Sequence, residues 1–197
     1  MADKRSQRTK EKLSKALIKL LLKKSLSEIT VTELVKEADL NRATFYLHYG
    51  NIFDLFQSIE DDLFLQVKNW IKSVSPNDAT IFHVEMDTDE KPYLPVLGEV
   101  FNFIASNRDT AVVLLRNPES KLLNRVYDEG REIIVRQLQS KGQVADHYRL
   151  IYSIDYVVNG CIGIIQSWIN NGLDADTKVM CEITSDLVIQ NRFDLII

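Results

Sequence analysis

Cysteine is scarce in this 197-residue chain, which has only Cys161 and Cys181. Two cysteines build no disulfide framework. Neither has a CxxC partner or a nearby histidine, so both read as small core residues in a reducing cytoplasm. Seven glycines and four prolines exclude a collagen-like or loop-rich chain. The opening Met1-Ala2-Asp3-Lys4-Arg5-Ser6-Gln7-Arg8 lacks the apolar run of a secretory signal. The longest uncharged stretch, Tyr156 to Leu173, holds Asn159, Gln166, Ser167, Asn170 and Asn171, which suits a buried helix better than a membrane span. Catalytic patterns are missing too. Asp146, His147 and Asp155 form no triad with a serine in a nucleophile elbow, and no glycine-rich loop cradles phosphate. His83, Glu85, Asp87, Asp89 and Glu90 gather acid without the glycine and terminal glutamate of a calcium loop, and read as a solvated segment. Neither an enzyme nor a metal or cofactor is expected.

What is present is an ordinary globular balance, 45% hydrophobic and 26% charged, with an uneven distribution of charge. Residues 1–24 carry nine basic side chains against Asp3 and Glu11, a net of +7 in a chain whose total is −4. A basic front on an acidic body suggests that one end meets a polyanion and the other does not. A solvated amphipathic helix gives the same pattern, so charge alone decides nothing.

Apolar spacing reads as helix nearly throughout. Leu13, Ala16, Leu17, Leu20 and Leu21 form one stripe, with Ser25 and Ser27 helping to end that helix. Thr30-Val31-Thr32-Glu33 fits a capping box, with Thr30 as N-cap and Glu33 reaching back. Asn41 is a second N-cap before a brief helix, Arg42 to His48, that Gly50-Asn51 breaks. A longer helix from Ile52 to about Val74 turns Leu55, Phe56, Ile59, Leu63, Val67, Trp70 and Ile71 inward. Residues 79–91 alternate weakly like a strand with no second strand to pair, which predicts a loop or an irregular helix end. Helices follow at about 93–106, 109–116, 119–141, 145–171 and 175–190, with Pro118 at an N1 position and Gly142 and Gly172 at C-caps. The expected fold is all-α: a basic three-helix head and an acidic helical body, joined by the first half of the 52–74 helix.

Two short helices with a three-residue connection, Asp39-Leu40-Asn41, are the geometric core of a helix-turn-helix. The second begins with Arg42 and carries Thr44, Tyr46 and His48, hydrogen-bonding groups suited to the major groove and its phosphates. Arg42 can bind guanine O6 and N7 together, worth about 1–3 kcal/mol of discrimination. Thr30 and Thr32, at the start of the first helix, can offer hydroxyls and backbone N–H groups to phosphate. Phe45 and Tyr49 read instead as packing residues.

The run Thr30-Val31-Thr32-Glu33-Leu34-Val35-Lys36-Glu37-Ala38-Asp39-Leu40-Asn41-Arg42-Ala43-Thr44-Phe45-Tyr46-Leu47-His48-Tyr49 resembles the DNA-binding motif of the tetracycline-repressor (TetR) family. Thr-Phe-Tyr-x-His-Tyr at 44–49 is its specific part, and the likeness covers roughly residues 8–56. It implies a homodimeric bacterial regulator on a palindromic operator, with a C-terminal helical bundle for dimerisation and ligand binding at 57–197. It places Arg42, Ala43 and Thr44 toward bases and Tyr46 and His48 toward phosphates, with Asn41 among the DNA-facing set. The stretch from Tyr152 to Gly172 more loosely resembles the regulators of dihydroxyacetone kinase genes. Two departures stand out. Asp39 occupies a turn position that family members usually give to glycine, at a cost of roughly 1 kcal/mol. Ile52-Phe53 replaces a lysine and an acid, leaving the N-terminal basic residues to supply the missing charge.

Two further expectations concern the body. Gly160, Cys161 and Gly163 make one stretch of the 145–171 helix slim, as befits a core helix within one chain or one that also faces a second subunit beside the 175–190 helix. Phe64, Trp70, Phe101, Phe103 and Tyr127 supply walls for an apolar or weakly polar small-molecule effector. The resulting expectation is a cytoplasmic DNA-binding regulator, with a ligand-free architectural or division factor as the alternative.

Overall fold

A computed structural model describes residues 2–74, 83–140 and 147–190. Its regular elements follow from local chemistry that begins in the first helix, α1 (Ala2–Leu21). Leu13, Ala16, Leu17 and Leu20 are buried along one side of it. Past its end, the Glu28 carboxylate accepts from the Ser25 N–H at 2.9 Å and the Ser25 hydroxyl at 2.6 Å, which fixes a single 3₁₀ turn. These bonds hold the Glu28 carboxyl below the usual carboxylate range.

Helix α2 (Val31–Glu37) starts at Thr30, whose hydroxyl accepts from the Glu33 N–H at 3.2 Å. Only half of the expected capping box forms, because the Glu33 carboxylate pairs with Lys24 at 2.5 Å instead of reaching back. Helix α2 closes with the Leu40 N–H on the Val35 carbonyl at 2.8 Å and the Asp39 N–H on Lys36. That closure needs a left-handed residue after the cap, and Asp39 supplies it at φ +53°. An aspartate tolerates this region better than most residues, at about 1 kcal/mol.

Helix α3 (Arg42–Tyr46) is shorter than the expected Arg42–His48. Its last turn tightens as the His48 N–H bonds the Phe45 carbonyl three residues back. Helix α4 (Ile52–Val74) keeps its expected bounds. The Asn51 side chain accepts from the Asp54 N–H at 2.9 Å, and Asp54 accepts from the Gly50 N–H at 3.1 Å, a reciprocal cap. Leu55, Phe56, Ile59 and Leu63 are buried, whereas Val67, Trp70 and Ile71 are half-buried.

Helix α5 (Pro95–Ser106), α6 (Arg108–Arg116), α7 (Leu122–Ser140), α8 (His147–Asn170) and α9 (Thr177–Gln190) complete an all-α architecture. Pro118 is not at a helix N1 position. It sits in a turn closed by the Ser120 N–H on the Asn117 carbonyl, and N1 proline is found at Pro95 instead. Gly172 ends α8 at φ +83°, with the Leu173 N–H on the Trp168 carbonyl at 2.9 Å. Gly142 lies outside the described residues, as do residues 79–82 of the ambiguous segment.

The rest of that segment corrects the expectation of an unpaired loop. Strand β1 (Glu85–Met86) pairs antiparallel with β2 (Pro92–Tyr93), Glu85 opposite Tyr93. The Asp87 carboxylate accepts from the Asp89 N–H at 2.8 Å and the Lys91 N–H at 2.9 Å, which closes the turn. The Tyr93 hydroxyl donates to Glu85 at 3.0 Å, and His83 bonds the same carboxylate at 2.8 Å, so the acids here are structural. Those bonds hold the Glu85 carboxyl below its ordinary range, as the Lys91 and Asp89 N–H groups do for Asp87. Among the described residues no helix is long and apolar enough to cross a membrane, and no group of three His, Cys, Asp or Glu is placed to hold a metal ion.

The chain forms two compact units. One takes in residues up to Leu65 together with Asp109–Ser120, and the other holds Gln66–Arg108 and the chain from Lys121. The first unit therefore runs past the expected 8–56 head to Leu65 of α4 and takes in most of α6. Leu13, Leu17, Leu34, Phe45, Leu55, Phe56 and Leu114 are fully buried in it. In the second unit α5 packs closely on α9, where a Cβ on Gly98 would meet the Cys181 sulfur at 3.4 Å. The Leu94 N–H, at the junction of β2 and α5, donates to the buried Ser185 hydroxyl at 3.0 Å. Within the single chain the close helix approach is therefore at Gly98, not at Gly160 or Gly163. Among the described residues, a Cβ on either α8 glycine would meet nothing within 4 Å.

Candidate nucleic-acid interface

The first unit presents α3 with its amino end built by one side chain. The Asn41 carboxamide oxygen accepts from the Thr44 N–H at 2.8 Å and the Thr44 hydroxyl at 3.0 Å. Asn41 is thereby a structural cap that also stands exposed beside Arg42. Phe45 is fully buried and anchors the helix, edge-on to Tyr46 at 5.3 Å and 6.0 Å from the Tyr49 ring. Tyr49 is buried as well.

With Phe45 inward, the opposite side of α3 faces solvent. Arg42, Ala43 and Tyr46 are exposed, while Thr44 and His48 are half-buried. The Arg42 guanidinium lies 6.0 Å from the centre of the Tyr46 ring, and its Nη2 is 3.5 Å from the Tyr46 hydroxyl. This one-turn stacking holds a long cation extended over an aromatic face. Thr30 and Thr32 stand exposed at the start of α2. The eight residues expected to face DNA therefore all belong to α2, α3 and their flanks, with five of them on α3 or directly capping it.

Sequence reasoning passed over one group here. Leu47 is 81% exposed, immediately after α3 and one turn beyond Ala43. An apolar side chain standing in water beside an arginine and a tyrosine suits a thymine methyl in the major groove. Its variable place in the Thr-Phe-Tyr-x-His-Tyr run gave no signal. The helical spacing Ala43/Leu47 alongside Arg42/Tyr46 could have found it.

The five residues expected to line an effector site are distributed differently. Trp70 and Phe103 come together, ring centres 6.3 Å apart, in the second unit. Phe101 is buried edge-on against Trp168 at 5.3 Å. The Tyr127 hydroxyl donates to Asp155 at 2.7 Å, beside an Arg131 bond to the same oxygen at 3.1 Å, and this pairing raises the phenol's pKa. Phe64 belongs to the first unit. None of the five lines the first unit's cleft of about 300 Å³, which lies between Leu21–Leu26 and Val112–Glu119. Burial pushes the Cys161 thiol up to about 11, in keeping with an inert side chain.

Residues 93–190 match a family model described as a transcriptional regulator C-terminal region. A stretch of 85 residues, 42% of the chain, is 31% identical to an uncharacterized HTH-type transcriptional regulator, YxbF, of Bacillus subtilis (strain 168). That match spans 22% of YxbF's length. Among solved structures, a TetR transcriptional regulator from Streptococcus agalactiae 2603V is similar at a TM-score of 0.64 and 20% identity, over 95% of this chain and 97% of that one. FadR from Bacillus subtilis, solved with stearoyl-CoA, is similar at a TM-score of 0.68 and 15% identity, over 91% and 97%. The dihydroxyacetone kinase operon activator DhaS is similar at 0.58 and 12%, over 93% and 95%. At these identities the structures attest the fold.

Proposed function

Because the chain belongs to the TetR family of transcriptional regulators, we propose that it is a repressor, binding a palindromic operator as a homodimer and released by a small-molecule effector. The observation that carries the DNA-binding part is the solvent-facing Arg42–Tyr46 pair on a helix whose inner side is locked by Phe45. In this reading Arg42, Ala43 and Thr44 meet base edges, while Tyr46, His48, Thr30, Thr32 and the neighbourhood of Asn41 meet phosphates. A gel-shift on the DNA upstream of the protein's own gene, with sites selected in vitro from random duplexes, tests it. Arg42→Ala should lose about 1–3 kcal/mol on the selected site and relax discrimination at one base pair. Tyr46→Phe should weaken all duplexes about equally, as loss of a phosphate contact does. An Arg42→Ala protein that bound the selected site as tightly as wild type would remove α3 from the major groove.

The effector would bind in the second unit, against Trp70, Phe101, Phe103 and Tyr127. The Trp70–Phe103 pair supports an apolar ligand, and the FadR relative was solved with a fatty acyl-CoA. Helix α4 contributes residues to both units, so a ligand that shifts it would couple the body to the head. A coupling of ~1–3 kcal/mol weakens DNA binding roughly 5–150-fold. Trp70 and Trp168 are the only tryptophans, and the Trp168 indole is buried with its N–H on the Ala175 carbonyl. Metabolite screening by fluorescence should therefore report chiefly through Trp70 and weaken in Trp70→Phe to what Trp168 senses through Phe101. If operator affinity stayed unmoved by every bound compound, a DNA-bound factor without an effector would be the remaining reading.

A further inference from the structure

We propose that the amino-terminal half of α1 is a second DNA-binding surface, a cationic arm that grips the duplex backbone outside the recognition helix. The inference rests on the DNA-binding reading above and adds residues to it. At 3.6 residues per turn, Lys4, Arg5, Arg8, Lys12, Lys15 and Lys19 fall within an arc of about 100°. The buried residues Leu13, Ala16, Leu17, Ile18 and Leu20 fall outside that arc, and no residue from Lys4 to Lys12 is buried. About 15 Å of helix thus carries charge with no core to pack against.

The arm is short of counter-charge. Lys19 pairs with Glu37 of α2, whose carboxyl it holds below the ordinary range, which ties the inner end of the stripe to the helix-turn-helix. Lys4, Arg5, Arg8, Lys12 and Lys15 make no ion pair among the described residues. The arm's only acids are Asp3 and Glu11, and Glu11 is hydrogen-bonded by Gln7 at 3.4 Å. Lys4 and Arg8, Arg8 and Lys12, and Lys15 and Lys19 are like charges four apart, each pair opposing the helix it sits on. An external polyanion relieves that repulsion.

Duplex DNA is the polyanion that fits. The stripe shares a compact unit with α3. The start of α4 offers no cation there, having Ile52, Phe53 and an Asp54 already engaged on the Gly50 N–H. A membrane-surface helix would need an apolar face, and between Ala2 and Lys12 alanine is the sole apolar residue. The contact reads charge and not sequence, because lysine and arginine on phosphate carry no base information.

The test uses the full chain, with Lys4, Arg5, Arg8, Lys12 and Lys15 all changed to alanine. Affinity is measured across 50–200 mM salt for a duplex carrying the in-vitro-selected site and for a random duplex of equal length. Each lost phosphate contact should flatten the slope of log affinity against log salt by about 0.9. Three to five lost contacts would make the wild type about 40- to 500-fold more salt-sensitive than the variant across that range. Both duplexes should weaken by the same factor, and the thermal midpoint should not fall, since every changed side chain is exposed. An unchanged salt slope in a variant that still binds the selected site would overturn the arm and leave the recognition helix standing. Wild-type protein that bound neither duplex would overturn both. Loss of binding to anionic phospholipid vesicles, with DNA binding intact, would reassign the surface to a membrane and overturn the proposal.

Discussion

Phe45→Ala should destabilise the protein by about 3–5 kcal/mol, the cost of emptying a buried aromatic site. Phe45 is fully buried on α3, edge-on to Tyr46 and close to Tyr49, so one ring supports both the recognition helix and the residue that follows it. Small units hold only a few kcal/mol in reserve, so this loss is comparable with the stability of the head itself. Denaturant titration followed by circular dichroism measures it. DNA affinity should fall for every sequence together, because the fold that presents Arg42 is lost rather than one contact. A cost below about 1 kcal/mol would mean that the ring is not the anchor of α3.

The head was the most legible part of the chain because its instructions are local. Thr30 and Asn41 accept from backbone N–H groups three residues ahead, so a reading of neighbours finds both caps. The same holds for α4, bounded by Asn51 at its start and by Val74 before Ser75-Pro76. The misses depended on distant groups. Glu33 left its expected cap for Lys24, nine residues back. Strand β1 looked unpaired because its partner, Pro92–Tyr93, lay where apolar spacing suggested a helix. The Asp87 carboxylate that closes the turn between them carries no periodic signal. Pro118 has the right chemistry for a helix start and equally for the turn it occupies, and Asn117 decides between them. Likewise, the Ala43/Leu47 spacing marks Leu47 as exposed only once the Phe45 ring is known to occupy the inner side of α3.

Gly163→Leu should shift the protein from dimer to monomer, and the reason lies outside the single chain. Glycine inside a helix costs about 0.8–1.0 kcal/mol against alanine, a cost usually offset by something packed close. At Gly160 and Gly163 nothing among the described residues lies within 4 Å of an added Cβ, and both are exposed. The same face of α8 carries Tyr148, Tyr152 and Tyr156 at 72%, 69% and 61% exposure. Helix α9 adds Val179, Ile183 and Leu187, also exposed at spacings of four. An aromatic and aliphatic face with two slim positions on the long helix suits a second copy crossing α8 at the glycines. A leucine there has room in the monomer, and overpacking two helices in the dimer costs about 1–3 kcal/mol per site. A symmetric dimer carries the change twice, so roughly 2–6 kcal/mol should be lost, about 30- to 20,000-fold in dissociation constant. Gly130→Ala is the control. It too has no neighbour within 4 Å among the described residues, lies on α7 and not on α8 or α9, and should leave association unchanged. Sedimentation at micromolar concentration should show wild type above 22.7 kDa and Gly163→Leu near it, with the variant's palindrome binding weakened and its helix content kept. A wild-type monomer that still bound a palindrome tightly would sink the dimer.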